Sequence, residues 1–330
     1  GGRRPPVAMP QDLQGPGRGK PPCSSYAATA IVGLLLLLAG LLSLALQLAA
    51  AALTLPCLLC SSGRQLFHSV QSRIFRGVVA LVCVLLNPFW RTETHWIGSV
   101  AGPPNIVPGS VIFCNHRSNA DPFLLSWLLL LSCVEARFIY KSSLAKVPIL
   151  GICASLAGDL PVRFGDKQQI LQMLAQSKEL LGRGVHLVVF PEGTRSPSGI
   201  LQDFKPSFFE VCAELGCPAV PVCLLGSERA WPHGGLRMGC AKIRMAIGEP
   251  VLPGQGGASA LSAAIAERMQ DMAREAVERG EGVDTSDDPF LTKEPYPYWT
   301  PPKDIEAMQP EEQMRLLRQG GTHERGAHLF

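Results

Sequence analysis

The apolar positions of this chain change their rhythm twice. Between Lys20 and Arg64 there is no charged residue, and residues 27–55 are apolar except for Thr29, Ser43, Gln47 and Thr54. About 20 apolar residues cross a bilayer core, whereas a signal peptide has an apolar core of roughly 7–15, so this run predicts a retained membrane anchor. A second apolar run, residues 77–90, is too short to cross comfortably. It predicts an interfacial or re-entrant helix, with Trp90 and Trp96 suited to the headgroup layer.

From residue 105 onward, short apolar runs bounded by Gly, Pro and Asn alternate with helix-period segments. Strands are predicted at 111–114, 137–140, 158–164, 185–190, 219–225 and 242–247. Helices are predicted at 123–134, 167–181, 207–215 and 258–279. Asp166 is placed to cap the second of these, with Gln169 completing a capping box and Gly182 ending it. In the last, Leu261, Ile265, Met269, Met272 and Ala276 share one face. Pro221 inside an apolar run favours a sheet edge or a bulge, because proline has no N–H to give to a ladder.

Strands alternating with helices imply an α/β fold, a mostly parallel sheet flanked by helices, behind an N-terminal membrane-anchoring helical segment. The expected division is a disordered Gly/Pro/Arg-rich lead at 1–25 and a membrane anchor at 26–92, one spanning helix plus a short interfacial or re-entrant one. An enzymatic domain follows at 93–280 and a tail at 281–330.

Composition narrows the class. Only 17% of the 330 residues are charged and the mean hydropathy is +0.17, which is apolar for a soluble enzyme. The net charge of +3 is too small to suggest nucleic acid. Its placement is more telling: Arg64, Arg73 and Arg76 follow the anchor with no acidic residue before Glu93, as expected beside anionic headgroups. Arg18 and Lys20 precede the anchor, so the charge bias sets no orientation. The cysteines are odd in number, eleven, and scattered; Cys57 and Cys60 form a CxxC with no second pair or nearby His to complete a zinc site. Reduced thiols and no metal are the expectation.

Candidate chemistry lies at strand ends. Directly after the first strand comes Asn115-His116-Arg117-Ser118-Asn119-Ala120-Asp121, then Pro122. Asp is a good N-cap and Pro a good first helical residue, which starts a helix at Asp121. The intervening loop can fold back so that Asp121 accepts from one imidazole nitrogen and leaves the other as a base. After another apolar strand comes Phe190-Pro191-Glu192-Gly193-Thr194-Arg195-Ser196, which offers backbone N–H groups and a guanidinium to a phosphate. Arg163 stands at the end of a further strand.

The segments at 115–121, 158–163, 190–196 and 220–222, in this order behind an anchor, resemble the glycerolipid acyltransferase family, specifically the 1-acylglycerol-3-phosphate (lysophosphatidic acid) acyltransferases, over roughly residues 105–250. The resemblance implies His116 as general base with Asp121 as its partner. It implies Glu192, Gly193, Thr194 and Arg195 as the segment that binds the acceptor's phosphate, Arg163 as the substrate-binding arginine of the second block, and Pro221 as the proline of the fourth block. Lys205 matches a lysine that commonly follows the third block, although Pro206-Ser207 departs from the family pattern just beyond it. The implied reaction moves a fatty acyl group from acyl-CoA, a co-substrate, onto a lysophospholipid hydroxyl, with no cofactor and no metal. Membrane residence follows, with the endoplasmic reticulum as the default location. Rival readings are another lysophospholipid or glycerol-phosphate acceptor, a thioesterase, or a non-catalytic lipid-binding protein of the same fold.

Overall fold

The computed structural model describes residues 26–97, 106–163, 165–196, 198–232 and 235–279. The expected lead at 1–25 and tail at 281–330 lie outside these residues. Two helices open the described chain, α1 (Tyr26–Thr54) and α2 (Ser61–Ala80), the latter running on through a π turn at Leu81–Leu85. Then come β1 (Trp90–Ile97), β2 (Val111–Cys114), α3 (Asp121–Leu131), β3 (Ala136–Lys141), α4 (Leu150–Leu156) and β4 (Leu160–Val162). The chain continues with α5 (Lys167–Gly182), β5 (His186–Val189), α6 (Ser207–Leu215), β6 (Ala219–Leu225), α7 (Ser227–Ala230), β7 (Ala241–Gly248) and α8 (Gly257–Arg279).

The seven strands form one sheet in the order β1-β7-β6-β2-β5-β3-β4. Every pair is parallel except β6 with β7. Successive strand residues point to opposite faces, and both faces are covered, which is why the central strands are apolar throughout. Val111, Phe113, Leu187 and Val189 pack with Phe209 of α6 and with Leu261, Ile265 and Met269 of α8. Ile112, Cys114, Val188 and Val220 pack on the other face with Leu124, Leu125 and Leu128 of α3 and with Val32 of α1. The cap at Asp166 forms as expected, its carboxylate accepting from the Gln169 N–H at 3.1 Å.

Two expectations need correction and a third is narrowed. Trp90 and Trp96 do not belong to a short interfacial segment: they begin and nearly end strand β1, and Trp90 is 3% exposed within the core. Second, the helix before them starts at Ser61, and its buried face, Phe67, Gln71, Phe75 and Val79, recurs every fourth residue through the basic stretch. Arg76 on that face pairs with buried Asp159, and its guanidinium lies 4.2 Å over the Phe138 ring. Third, of the edge or bulge expected at Pro221, the structure has the bulge, in an interior strand. Ala219 exchanges both backbone hydrogen bonds with Val251, whereas the regular ladder resumes one register out, at Val222 opposite Ile247. The Pro221 nitrogen, two residues beyond Ala219, points into that break, where no donor is required.

The first helix is bound to the domain along one side. Ala28, Val32, Ala39, Ser43 and Gln47 are buried, and Gln47 donates to the Gln71 and Cys153 carbonyls at 3.0 and 3.2 Å. Its other side exposes Leu34, Leu37, Leu41 and Leu48.

Candidate active site

Strands β2 and β5 are adjacent and parallel, with Phe113 opposite Val189, so the loops that follow them leave the same sheet edge side by side. This arrangement brings His116 and Glu192 together across 76 positions of chain. Ligand sites of open parallel sheets lie at this edge, beyond the strand carboxyl ends.

The imidazole Nδ1 of His116 lies 2.8 Å from Oδ2 of Asp121. The same carboxylate oxygen accepts from the Arg117 and Ser118 backbone N–H groups at 2.7 and 2.8 Å. Those amides and its full burial hold Asp121 in one orientation. Asp121 therefore differs from the expected N-cap. It is the first helical residue, Ala120 occupies the cap position, and the carboxylate turns back into the loop. With Nδ1–H donated to Asp121, Nε2 of the neutral ring carries the lone pair. Phe190 stacks beneath the ring, centroid to centroid 4.1 Å, and the His116 side chain keeps 19% exposure.

Glu192 is buried, and its carboxylate accepts from the His116 N–H at 2.7 Å and the Gln202 N–H at 3.0 Å. Burial pushes its pKa up to about 8, against the pull of those two amides and of Arg117. So Glu192 acts as a strut between the two loops, with its carboxylate turned inward. Gly193 has a φ of +74°, a left-handed conformation that favours glycine, and it packs beside the Lys205 stem. Thr194 is exposed. Arg195 donates to Asn119 Oδ1, and its partial burial lowers its pKa from the ordinary guanidinium value. Arg163 is exposed just past β4, on the same edge. Two strand spacings separate β4 from β5, roughly 10 Å of backbone. The structure thus joins His116, Asp121 and Glu192 by direct hydrogen bonds, ties Arg195 to the histidine loop through Asn119, and sets Arg163 to one side.

Several supporting residues were invisible to motif reasoning. Asn115 bridges to β6, donating to the Leu224 carbonyl at 2.9 Å and accepting from the Leu224 N–H at 2.7 Å. The Trp231 carbonyl accepts from Ser118 Oγ at 2.8 Å and from the Asn119 N–H at 3.2 Å. Gln202 also donates to the Arg195 carbonyl at 3.3 Å. Nothing local in the sequence marks Trp231 or Gln202, because each acts through its backbone or at a distant partner. Cys114, beside the histidine in sequence, is fully buried; burial and the Asp121 charge hold its thiol far above the usual range, unsuited to a nucleophile.

A mostly parallel α/β sheet thus carries a histidine–carboxylate pair beside an arginine loop. Residues 99–225 match the family model described as Acyltransferase. Over 190 residues it is 29% identical to a 1-acyl-sn-glycerol-3-phosphate acyltransferase, chloroplastic, of Brassica napus, covering 57% of this chain and 51% of that protein. It is 34% identical over 152 residues to a 1-acyl-sn-glycerol-3-phosphate acyltransferase of Chlamydomonas reinhardtii, covering 46% and 44% respectively. The chain spans about half the length of the curated relatives it matches. Among solved structures, the acyltransferase PlsC from Thermotoga maritima shares the fold, with a TM-score of 0.51 over 74% of this chain and 98% of that one, at 21% identity.

Proposed function

We propose that the protein transfers a fatty acyl group from acyl-CoA to the free hydroxyl of 1-acylglycerol-3-phosphate, giving phosphatidic acid. The observation that carries this reading is the 2.8 Å contact of His116 Nδ1 with a carboxylate itself held by two backbone amides. That contact leaves Nε2 as a base at the ligand edge of the sheet. The relatives' names and the nearby guanidinium of Arg195 support a phosphate-bearing acceptor.

In this mechanism the acceptor hydroxyl gives its proton to His116 Nε2 as its oxygen attacks the thioester carbonyl. The Asp121 carboxylate favours the imidazolium that forms. The tetrahedral oxyanion collapses, the carbon–sulfur bond breaks, and the departing CoA thiolate takes the proton back from His116. Acyl transfer is direct, so no enzyme nucleophile enters the balance. Arg195, with the Gly193 and Thr194 backbone, holds the acceptor phosphate in this reading, and Arg163 meets it from the neighbouring strand end. Glu192 serves by fixing the His116 backbone to the Arg195 loop. The leucine side of α1 keeps the enzyme on the bilayer that holds both lipids, which raises their local concentration. The endoplasmic reticulum is only a default for location, and two relatives are named chloroplastic.

The deciding experiment assays purified protein against a panel of lysolipids with one acyl-CoA, following CoA release. Release should require an acceptor and be fastest with lysophosphatidic acid. H116A should abolish turnover while the protein stays folded and membrane-bound; wild-type rates in that variant would refute the assignment of the base. Equal CoA release without any lysolipid would identify a thioesterase instead.

A further inference from the structure

The connection between β3 and β4 carries large apolar side chains into solvent right beside the anchor. Residues 143–148 are all exposed, with Leu144 at 43% and Val147 at 42%, and Ile152 follows on α4 at 51%. A single exposed apolar side chain is ordinary, but three within one short connection make a patch.

The inner side of this segment is clamped. Ile149 Cγ2 lies 3.0 Å from where a Cβ on Gly40 would stand, against the middle of α1. Gln47 of α1 donates to the Cys153 carbonyl, and Cys153, Ala154 and Ala157 are buried with Ala39, Val79 and Cys83. A lipid layer that takes up Leu37, Leu41 and Leu48 of α1 therefore meets this connection as well.

Its charge suits one particular surface. No Asp or Glu lies between Glu135 and Asp159, and exposed Lys146 forms no ion pair among the described residues. The direction also matters. Because β3 is parallel to β5 and β5 to β2, the connection leaves the sheet at the edge that holds His116.

We propose that the β3–β4 connection, through Leu144, Lys146, Val147 and Ile152, is a second lipid-contact surface resting on the anionic headgroup layer of the bilayer that holds α1. The apolar side chains enter the acyl boundary, and Lys146 lays its stem along them with the ammonium among lipid phosphates. This second point of contact turns the candidate active-site edge toward the membrane. The proposal rests on the membrane reading of α1 and is independent of the chemistry assigned to His116.

The test reconstitutes the full chain in vesicles of phosphatidylcholine, with or without phosphatidylglycerol, using brominated phosphatidylcholine to quench tryptophan. Emission added by L144W and V147W should be quenched several-fold more than that added by L215W, which lies on α6 across the sheet, and about as much as that added by L41W. K146E or high salt should weaken the quenching of L144W in the phosphatidylglycerol vesicles. The proposal is overturned if L144W and V147W stay bright while L41W is quenched. It is also overturned if their quenching ignores both phosphatidylglycerol and K146E. A bright L41W would remove the membrane reading beneath it, while leaving the acyl-transfer assay to stand or fall separately.

Discussion

Asn119 accepts from the Arg195 guanidinium while the Trp231 carbonyl holds its own backbone N–H, so one neutral side chain sets the direction of the site's cation. N119L should free that guanidinium and raise the acceptor KM about tenfold or more, since a charge-assisted hydrogen bond contributes ~1.5–3 kcal/mol. The KM for acyl-CoA should hardly move, and steady-state kinetics with each substrate varied will separate the two. Glu192 makes a different claim, about pH. Its folded pKa of about 8 exceeds its ordinary value of 4.5, chiefly through burial. The native state therefore binds this proton more tightly than the unfolded chain. The resulting stabilisation is full below pH 4.5 and is lost as pH rises through about 8. Thermal unfolding across that window should show a downward slope for the wild type that is flattened in E192Q.

At the scale of elements, α2 is held to the sheet by a buried ion pair rather than by apolar contact alone. Arg76 reaches Asp159, which also accepts from the Phe138 N–H at 2.9 Å, while Arg76 Nε donates to the Ala136 carbonyl at 3.3 Å. R76M leaves a buried carboxylate without its counter-charge, which typically costs about 3–5 kcal/mol. Denaturant unfolding in detergent should show that loss, and R76M/D159N should recover a large part of it. The same elements explain how much of the fold could be read in advance. The bounds of β2, β6 and α6 are visible because apolar runs and Gly216 mark them locally. Strand β1 was not legible: Trp90-Arg91-Thr92-Glu93 reads as polar chain until it pairs with Ala241-Lys242-Ile243-Arg244, some 150 positions on.

Across the whole molecule, α1 has two different sides. One carries Val32, Ala39 and Gln47 into the domain, and the other presents leucines to the surroundings. Length and hydropathy qualify both α1 and α2 as membrane-crossing helices, yet α2 has its buried face committed to the protein. Replacing Leu37, Leu41 and Leu48 with serine should leave the domain folded but move the protein out of the membrane fraction. Each leucine contributes on the order of 1.5–3 kcal/mol when buried in lipid. Flotation on a density gradient reads the partition, and circular dichroism reads the fold.

By itself the sequence determined the periodicities, the caps and the two polar segments that follow strands, because each depends on neighbours within a turn or a few residues. His116 and Asp121, five apart, were legible as a pair for that reason. Only the tertiary structure decided that Glu192 faces inward as a strut, that Asn119 aims Arg195, and that Trp231 pins the histidine loop. Those facts depend on strand order and register, which are set by the simultaneous packing of both sheet faces and have no local signature.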